Sequence, residues 1–510
     1  MFMMRLRTIQ HDAIRAQSEQ NPKTLKLNWK IMVGISVSLT FLFNQHNSLE
    51  WYKIVAKQHA LREGTDTTDD TSLLSTEIMT KIQALTHELE NSKIRYYVYD
   101  DGGLRLPKIR AQANRFDKPW AWKARWGKRF EEYARGEIRW LESLETSTLR
   151  TRDPLEADFF VVPIPITATH FWGTTSDRTT ALRRLLFGWN HSDSNINSSN
   201  NSSNIDESSL FRRFPEKHLA AISTSEKLIN WLGLPEAELR LFRNSTLVND
   251  ADLTRSDDWL RDQNIIPCDK VEKHGHFESR WFRNVVTLGY SFEAGNPSFF
   301  YQPVTMDAWA QKLNWFFYHS RKTPSICNST IFRHALLPGG HAETLMAQNM
   351  GSNNTNNNTN FTHVIQGFRH QPVSIGFDIP YEEWQQKFIN SKFCLVIRGD
   401  NPGSRSLFRA IRAGCMPVIV SDQLPYYQPI YINTFPDWND FALVVPEDIF
   451  LADPVGSLDA AVDALMQSKL ALERKIEGLR LLQRIMTNDM SDSLFVPALA
   501  KEILIATRSK

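Results

Sequence analysis

The chain is short of cysteine. Four in 510 residues cannot form a disulfide framework, and Cys268, Cys327, Cys394 and Cys415 show no C-x-x-C spacing and no neighbouring histidine cluster. That argues against a structural zinc site, and no metal is expected. An excess of one charge is missing too. Lys and Arg number 59 against 57 Asp and Glu, a net charge of +2, so the basic surplus of a nucleic-acid binder is absent. No G-x-x-x-x-G-K-[ST] occurs, and the glycines lack dinucleotide-fingerprint spacing, which excludes two common nucleotide folds. What remains is ordinary for a folded protein: 42% hydrophobic and 23% charged residues, enough to exclude wholesale disorder.

Long apolar runs are also scarce, with one exception. Ile31 to Phe43 (IMVGISVSLTFLF) carries no charge. Extended from Trp29 to His46 it spans about 27 Å as a helix, close to a bilayer core. Arg5, Arg7, Arg15, Lys23, Lys26 and Lys30 precede it. The positive-inside rule then leaves the first 28 residues cytosolic and everything after residue 46 lumenal. The long preceding region and the missing A-x-A site favour an uncleaved signal anchor over a cleaved leader. The sequons at Asn244 and Asn328 lie outside the Asn/Ser-rich tracts and are the expected glycosylation sites.

Residues 47–92 read as a stem. Ile78, Ile82, Leu85 and Leu89 form an apolar seam with Ser75 or Thr76 as cap. Either a short self-associating stalk or a helix lying on the globular part would use such a seam. Beyond it, strand-like and helix-like segments alternate, as in an α/β architecture. Ile94 to Asp100 reads as a strand, Glu131 to Leu144 as a helix, and Asp158 to Ile166 as a buried strand. A second unit follows, with strands at Leu313–Tyr318, Phe393–Ile397, Met416–Val420 and Phe441–Val445. The helix Arg405 to Ala413 is stopped by Gly414, and Ser457 caps the first of the C-terminal helices. The expected division is 93–300 and 301–510.

Ligands of open α/β sheets bind outside the carboxyl ends of the strands. The loop 398–404 sits at such an end. Its Gly399, Gly403 and Ser404 allow close backbone approach, and Arg398 and Arg405 offer forked contacts to a diphosphate from a solvated loop. Arg321 and Lys322 supply a second basic loop on the same edge.

These residues carry a resemblance. SKFCLVIRGDNPGSRSLFRAIRAGCMPVIVSD (Ser391 to Asp422) resembles the signature of the exostosin family of glycosyltransferases. DWNDFALVVPE, closing on Glu447, resembles its next strand. IRYYVYD, LRTRDPLEADFFVVP, NIIPC and WFFYHSRKTPS resemble its upstream blocks, in family order from about residue 93 to 490. The resemblance implies a GT-B-like fold, two Rossmann-like domains facing a cleft. The C-terminal one would bind a nucleotide sugar, a UDP-sugar, and the N-terminal one a glycan acceptor. It implies inversion, no metal or other cofactor, a Golgi type II membrane protein, and association with itself or a related glycosyltransferase. The donor residues it implies are Arg398, Gly399, Asp400, Gly403, Ser404, Arg405, Arg409, Arg321, Lys322 and Glu447. For a general base, Asp100 and His170 are the candidates.

Three departures stand out. Arg409 replaces the family's usual acidic residue and cannot accept hydrogen bonds from sugar or ribose hydroxyls. The arginine expected at Ser406 is shifted to Arg405, and a G-R-D-H-F block is missing from 210–240. A catalytically inactive glycan-binding or partner subunit is therefore a second reading. A membrane-tethered interaction protein without a nucleotide site is a third. Cys394 and Cys415 read as buried small residues, and the pairing expected of a lumenal disulfide is Cys268 with Cys327.

Overall fold

The structure is a computed structural model. It describes residues 68–99, 136–163, 165, 179–180, 182–183, 207–222, 238, 240–249, 284–287, 301–320, 330–349, 357–377, 379–398, 405–422, 424, 434, 438–488 and 490–508. The chain divides into units Met1–Leu73 and Leu74–Lys510. Of the first, the described residues 68–73 are helical. The expected anchor, residues 29–46, lies outside the described residues. Among those, no helix is long and apolar enough to cross a membrane.

Helix α1 (Thr68–Glu90) starts two turns before the expected caps Ser75 and Thr76. A helix once nucleated propagates at little cost through polar residues. Its seam is spent on the globular unit. Ile82 and Leu89 are buried, and Ile78 and Leu85 are partly buried against the core. Of the two uses left open for this seam, the structure shows the helix lying on the globular part.

Two wholly parallel sheets follow. The first has the order β2-β1-β3-β4-β5-β6. Its strands are β1 (Tyr96–Val98), β2 (Arg150–Thr151), β3 (Phe159–Val161), β4 (His218–Ile222), β5 (Thr246–Asn249) and β6 (Asn284–Thr287). The second has the order β11-β10-β9-β7-β8. It comprises β7 (Asn314–Ser320), β8 (Val373–Phe377), β9 (Ser391–Ile397), β10 (Met416–Val420) and β11 (Leu443–Val444). Strand β3 is shorter than the expected 158–166 because Pro163 and Pro165 offer no ladder N–H. Both orders are doubly wound, as in a GT-B-like α/β fold, with a switch point beside the first strand of each sheet.

The second sheet is covered on both faces. Phe316, Tyr318 and Phe393 belong to one apolar cluster, and Phe317 and Cys394 to another. Helices α2 (Tyr381–Ile389) and α3 (Arg405–Arg412) pack on β9, and α2 places Phe388 against Phe317 with ring centroids 4.8 Å apart. Helix α3 ends as expected. Gly414 takes a φ of 59°, its N–H donates to Ile411 O, and Cys415 N–H donates to Ala410 O. That is a Schellman closure, and any Cβ at 414 would lie 2.9 Å from Gln302 O. Further donors reach this end: Lys312 donates to Ala413 O at 2.9 Å, and Gln483 donates to Ile411 O and Arg412 O.

Two expectations need correction here. Cys394 and Cys415 are not separate small residues. They form a buried disulfide with Cα atoms 5.8 Å apart, joining β9 to the start of β10. The helix α3 crossover between these adjacent strands brings residues 21 apart in sequence into bonding range, Cys415 lying just before β10. Closing a loop of that size contributes about 3 kcal/mol. Cys268 and Cys327 lie outside the described residues. Nor is Ser457 the helix cap. After α4 (Glu447–Ala452), helix α5 (Pro454–Met466) is capped by Asp453, whose carboxylate accepts from Gly456 N–H at 2.9 Å. Helix α6 (Lys469–Met486) carries Gln483, and α7 (Phe495–Arg508) returns to the first sheet, packing on β5 and β6.

At the heart of the first sheet His218 is fully buried. Its ring stacks on Phe160 at 4.7 Å, Nδ1 donates to Phe214 O at 2.6 Å, and Nε2 accepts from Tyr99 OH at 2.7 Å. Burial pushes its pKa down from 6.5 to about 3, so the folded ring is neutral. Between those values the unfolded chain binds a proton that the folded chain refuses. The stability is fully present above pH 6.5 and is lost as pH falls, at about 1.4 kcal/mol per unit. Urea midpoints should therefore drop more steeply from pH 6.5 to pH 5 in the wild type than in His218→Gln. Parallel profiles would contradict this.

Candidate functional site

At the carboxyl edge of the second sheet, three consecutive strands end in charged residues. Arg398 follows β9, Asp422 follows β10 and Glu447 follows β11. A strand buried on both faces leaves its end as the place where a polar side chain can stand without an internal partner. Arg398 was expected on a solvated loop. Instead it is 5% exposed, and Glu447 is 9% exposed. Arg398 Nη1 donates to both Glu447 oxygens, at 3.0 and 3.3 Å. The Asp422 N–H donates to Glu447 Oε1 at 3.3 Å, and the Glu447 N–H donates to Asp422 Oδ1 at 3.1 Å. Desolvation raises the pKa values of Glu447 and Asp422 above the usual carboxylate range, and the Arg398 charge offsets only part of this.

The other wall comes from the short helix Thr330–Arg333. The Arg398 guanidinium lies over the Phe332 ring, 5.2 Å from its centroid. Arg333 Nε donates to the Oγ of Ser320, the last residue of β7, at 3.0 Å. Strands β7 and β9 flank the switch point of this sheet, so Arg398 and Ser320 stand on either side of it. Arg398 Nε is buried without a hydrogen-bond partner among the described residues. A donor in that state suits an anionic oxygen.

The remaining expected residues divide. Asp100, His170, Arg321, Lys322, Asn328, Gly399, Asp400, Gly403 and Ser404 lie outside the described residues, as does the side chain of Arg405. Asn244 is exposed. Arg409 stands one turn into α3 with its guanidinium 5.2 Å from the Trp384 ring centroid on α2. Phe332, Arg333 and Asp422 were missed by reading the sequence. Asp422 was visible as the end of the MPVIVSD strand, but nothing local to it points to Glu447. Among the described residues no group of three His, Cys, Asp or Glu side chains could hold a metal.

Residues 321–456 match the family model "Exostosin GT47 domain". This segment is similar to the exostosin glycosyltransferase domain. It contains Arg333, Arg398, Asp422 and Glu447. The chain is 40% identical over 78 residues to "Exostosin-1 homolog" of Caenorhabditis elegans, covering 14% of this chain and 19% of that protein. It is 35% identical over 68 residues to "Exostosin-2" of Bos taurus, covering 13% and 9%. It is also 34% identical over 102 residues to "Probable xyloglucan galactosyltransferase GT12" of Arabidopsis thaliana, covering 20% and 19%. The chain thus spans less than a fifth of the length of each of these relatives.

The buried pair changes what an alanine substitution in this segment should do. Arg398→Ala would leave the Glu447 carboxylate buried and unpaired, at a cost of about 3–5 kcal/mol. Arg398→Met with Glu447→Met should regain most of that stability in urea titrations. Equal stabilities for wild type and Arg398→Ala would show that the pair contributes nothing.

Proposed function

We propose that this chain is an inverting glycosyltransferase that moves a sugar from a UDP-sugar to a glycan acceptor. The supporting observation is the buried Arg398 at the switch point of the second sheet, with an unfilled Nε. As the glycosidic bond to phosphate breaks, negative charge grows on the departing diphosphate. A preorganised guanidinium stabilises that charge without reorganising. The loops expected to complete the donor site, with Arg321 and Lys322 in one and Gly399, Asp400, Gly403, Ser404 and Arg405 in the other, follow directly on Ser320 and Arg398 in sequence. Residues 93–300 would carry the acceptor and 301–510 the donor. Asp100 and His170 remain the candidates for the base. A thermal-shift panel of nucleotides on the full chain tests this reading. A nucleoside diphosphate at a hundred times its dissociation constant should stabilise by about 2.7 kcal/mol. Indifference to every nucleoside diphosphate would sink it.

One observation favours a second reading. Arg409 occupies the position of the family's usual acid and is engaged by Trp384. A partner subunit that binds donor without transferring sugar would show the same thermal shift but no donor turnover.

We further propose a Golgi membrane location, with the globular part lumenal. The Cys394–Cys415 disulfide suits an oxidising compartment, and Asn244 stands exposed. Endoglycosidase treatment of the protein from secretory-pathway cells should raise its mobility. Asn244→Gln should abolish that part of the change due to this site. Unchanged mobility of the wild type counts against the lumen.

A further inference from the structure

Sequence reading assigned no role to Asp422, yet it completes a closed set of bonds. Its N–H and Oδ1 grip the carboxylate and the N–H of Glu447, and Glu447 in turn holds Arg398 Nη1. The set ties together the ends of β9, β10 and β11, and Phe332 backs the guanidinium from the far side. We infer that Asp422 is a positioning residue of the donor site, fixing Glu447 and through it the Arg398 guanidinium so that Nε is presented to a phosphate oxygen.

The inference rests on the nucleotide-sugar reading and deepens it. Arginine has many rotamers, and ordering it before the ligand arrives removes part of the cost of binding. Glu447 opens α4, so its N–H has no partner within the helix, and Asp422 supplies one from the neighbouring strand end. Glu447 acts here as a brace rather than as a ligand of the sugar. Its two oxygens are both engaged by Arg398, and one also by the Asp422 N–H.

The set also gives a signature that simple structural support would lack. Glu447 faces Arg398 from the end of β9 and Asp422 from the end of β10, and Asp448 stands beside Asp422 from α4. Protonation of Glu447 loosens its hold on Arg398, so donor affinity should fall on the acid side. The negative charge of Asp422 raises the Glu447 pKa. Asp422→Asn removes that charge but keeps the Oδ1 acceptor, so the acid limb should move to lower pH.

The experiment is calorimetric binding of UDP at neutral pH to the full chain, wild type, Asp422→Ala and Asp422→Asn. UDP-glucose then serves for the pH series, because its diphosphate diester keeps both charges throughout the acid range. Asp422→Ala should weaken UDP binding roughly five- to tenfold, and Asp422→Asn by no more than about twofold. Asp422→Asn keeps the acceptor for the Glu447 N–H and should unfold at nearly the wild-type temperature without ligand, whereas Asp422→Ala loses it and should unfold a few degrees lower. Should the alanine variant fail to fold, the acid limb of Asp422→Asn decides alone. Wild-type binding with Asp422→Ala unchanged, or with an acid limb unmoved in Asp422→Asn, overturns the inference and leaves the donor-site reading standing. A wild type that binds neither probe overturns the donor-site reading itself.

Discussion

A parallel strand covered on both faces can display a polar side chain cheaply only at its ends, and the second sheet is organised around that constraint. Strands β9 and β10 are buried almost throughout. The charges gather where these strands and β11 stop. Arg398 and Glu447 satisfy one another there because each would otherwise be left uncompensated in a poorly solvated place, and the exposed Asp422 holds Glu447 from the next strand end. Such a pair adds little net stability over apolar residues of the same shape. What it does add is orientation: a guanidinium held in one place, its Nε without a partner among the described residues.

Reinforcement lies at the opposite end of the same unit. The disulfide, the glycine closure of α3, Lys312 and Gln483 all act around the amino end of β10. Gln483 also donates to Gln302 O and accepts from Val304 N–H, so the entry to the second unit is tied to the same point. The carboxyl edge is thereby left free of backbone repair work.

Arg409 illustrates how a departure from a family pattern is absorbed. Its positive charge lies against the indole of Trp384, itself part of the apolar cluster with Phe317 and Phe388. A cation over an aromatic face needs no carboxylate to be stable. The substitution is thus compatible with the fold. Whether it is compatible with sugar transfer is a separate matter of chemistry, since a guanidinium cannot accept the hydrogen bonds of a hydroxyl.

Much of this was written locally in the chain. The apolar runs FCLVI and MPVIV, the glycine at 414 and the alternation of strand and helix determined the α/β class and the βαβ unit, because burial, turn geometry and helix termination depend on residues close in sequence. The edge carrying the site was also legible, since chain direction alone says where a parallel strand ends. Tertiary structure decided the rest. Arg398 read as a solvated loop residue because Glu447 is 49 positions away. Cys394 read as a lone small residue because only the adjacency of β9 and β10 brings Cys415 to it. The cap of α5 fell to Asp453 rather than Ser457, and the α1 seam went to the globular unit, because each depended on where the chain turned. Partnerships across a sheet are set by strand order and register, and no local pattern encodes either.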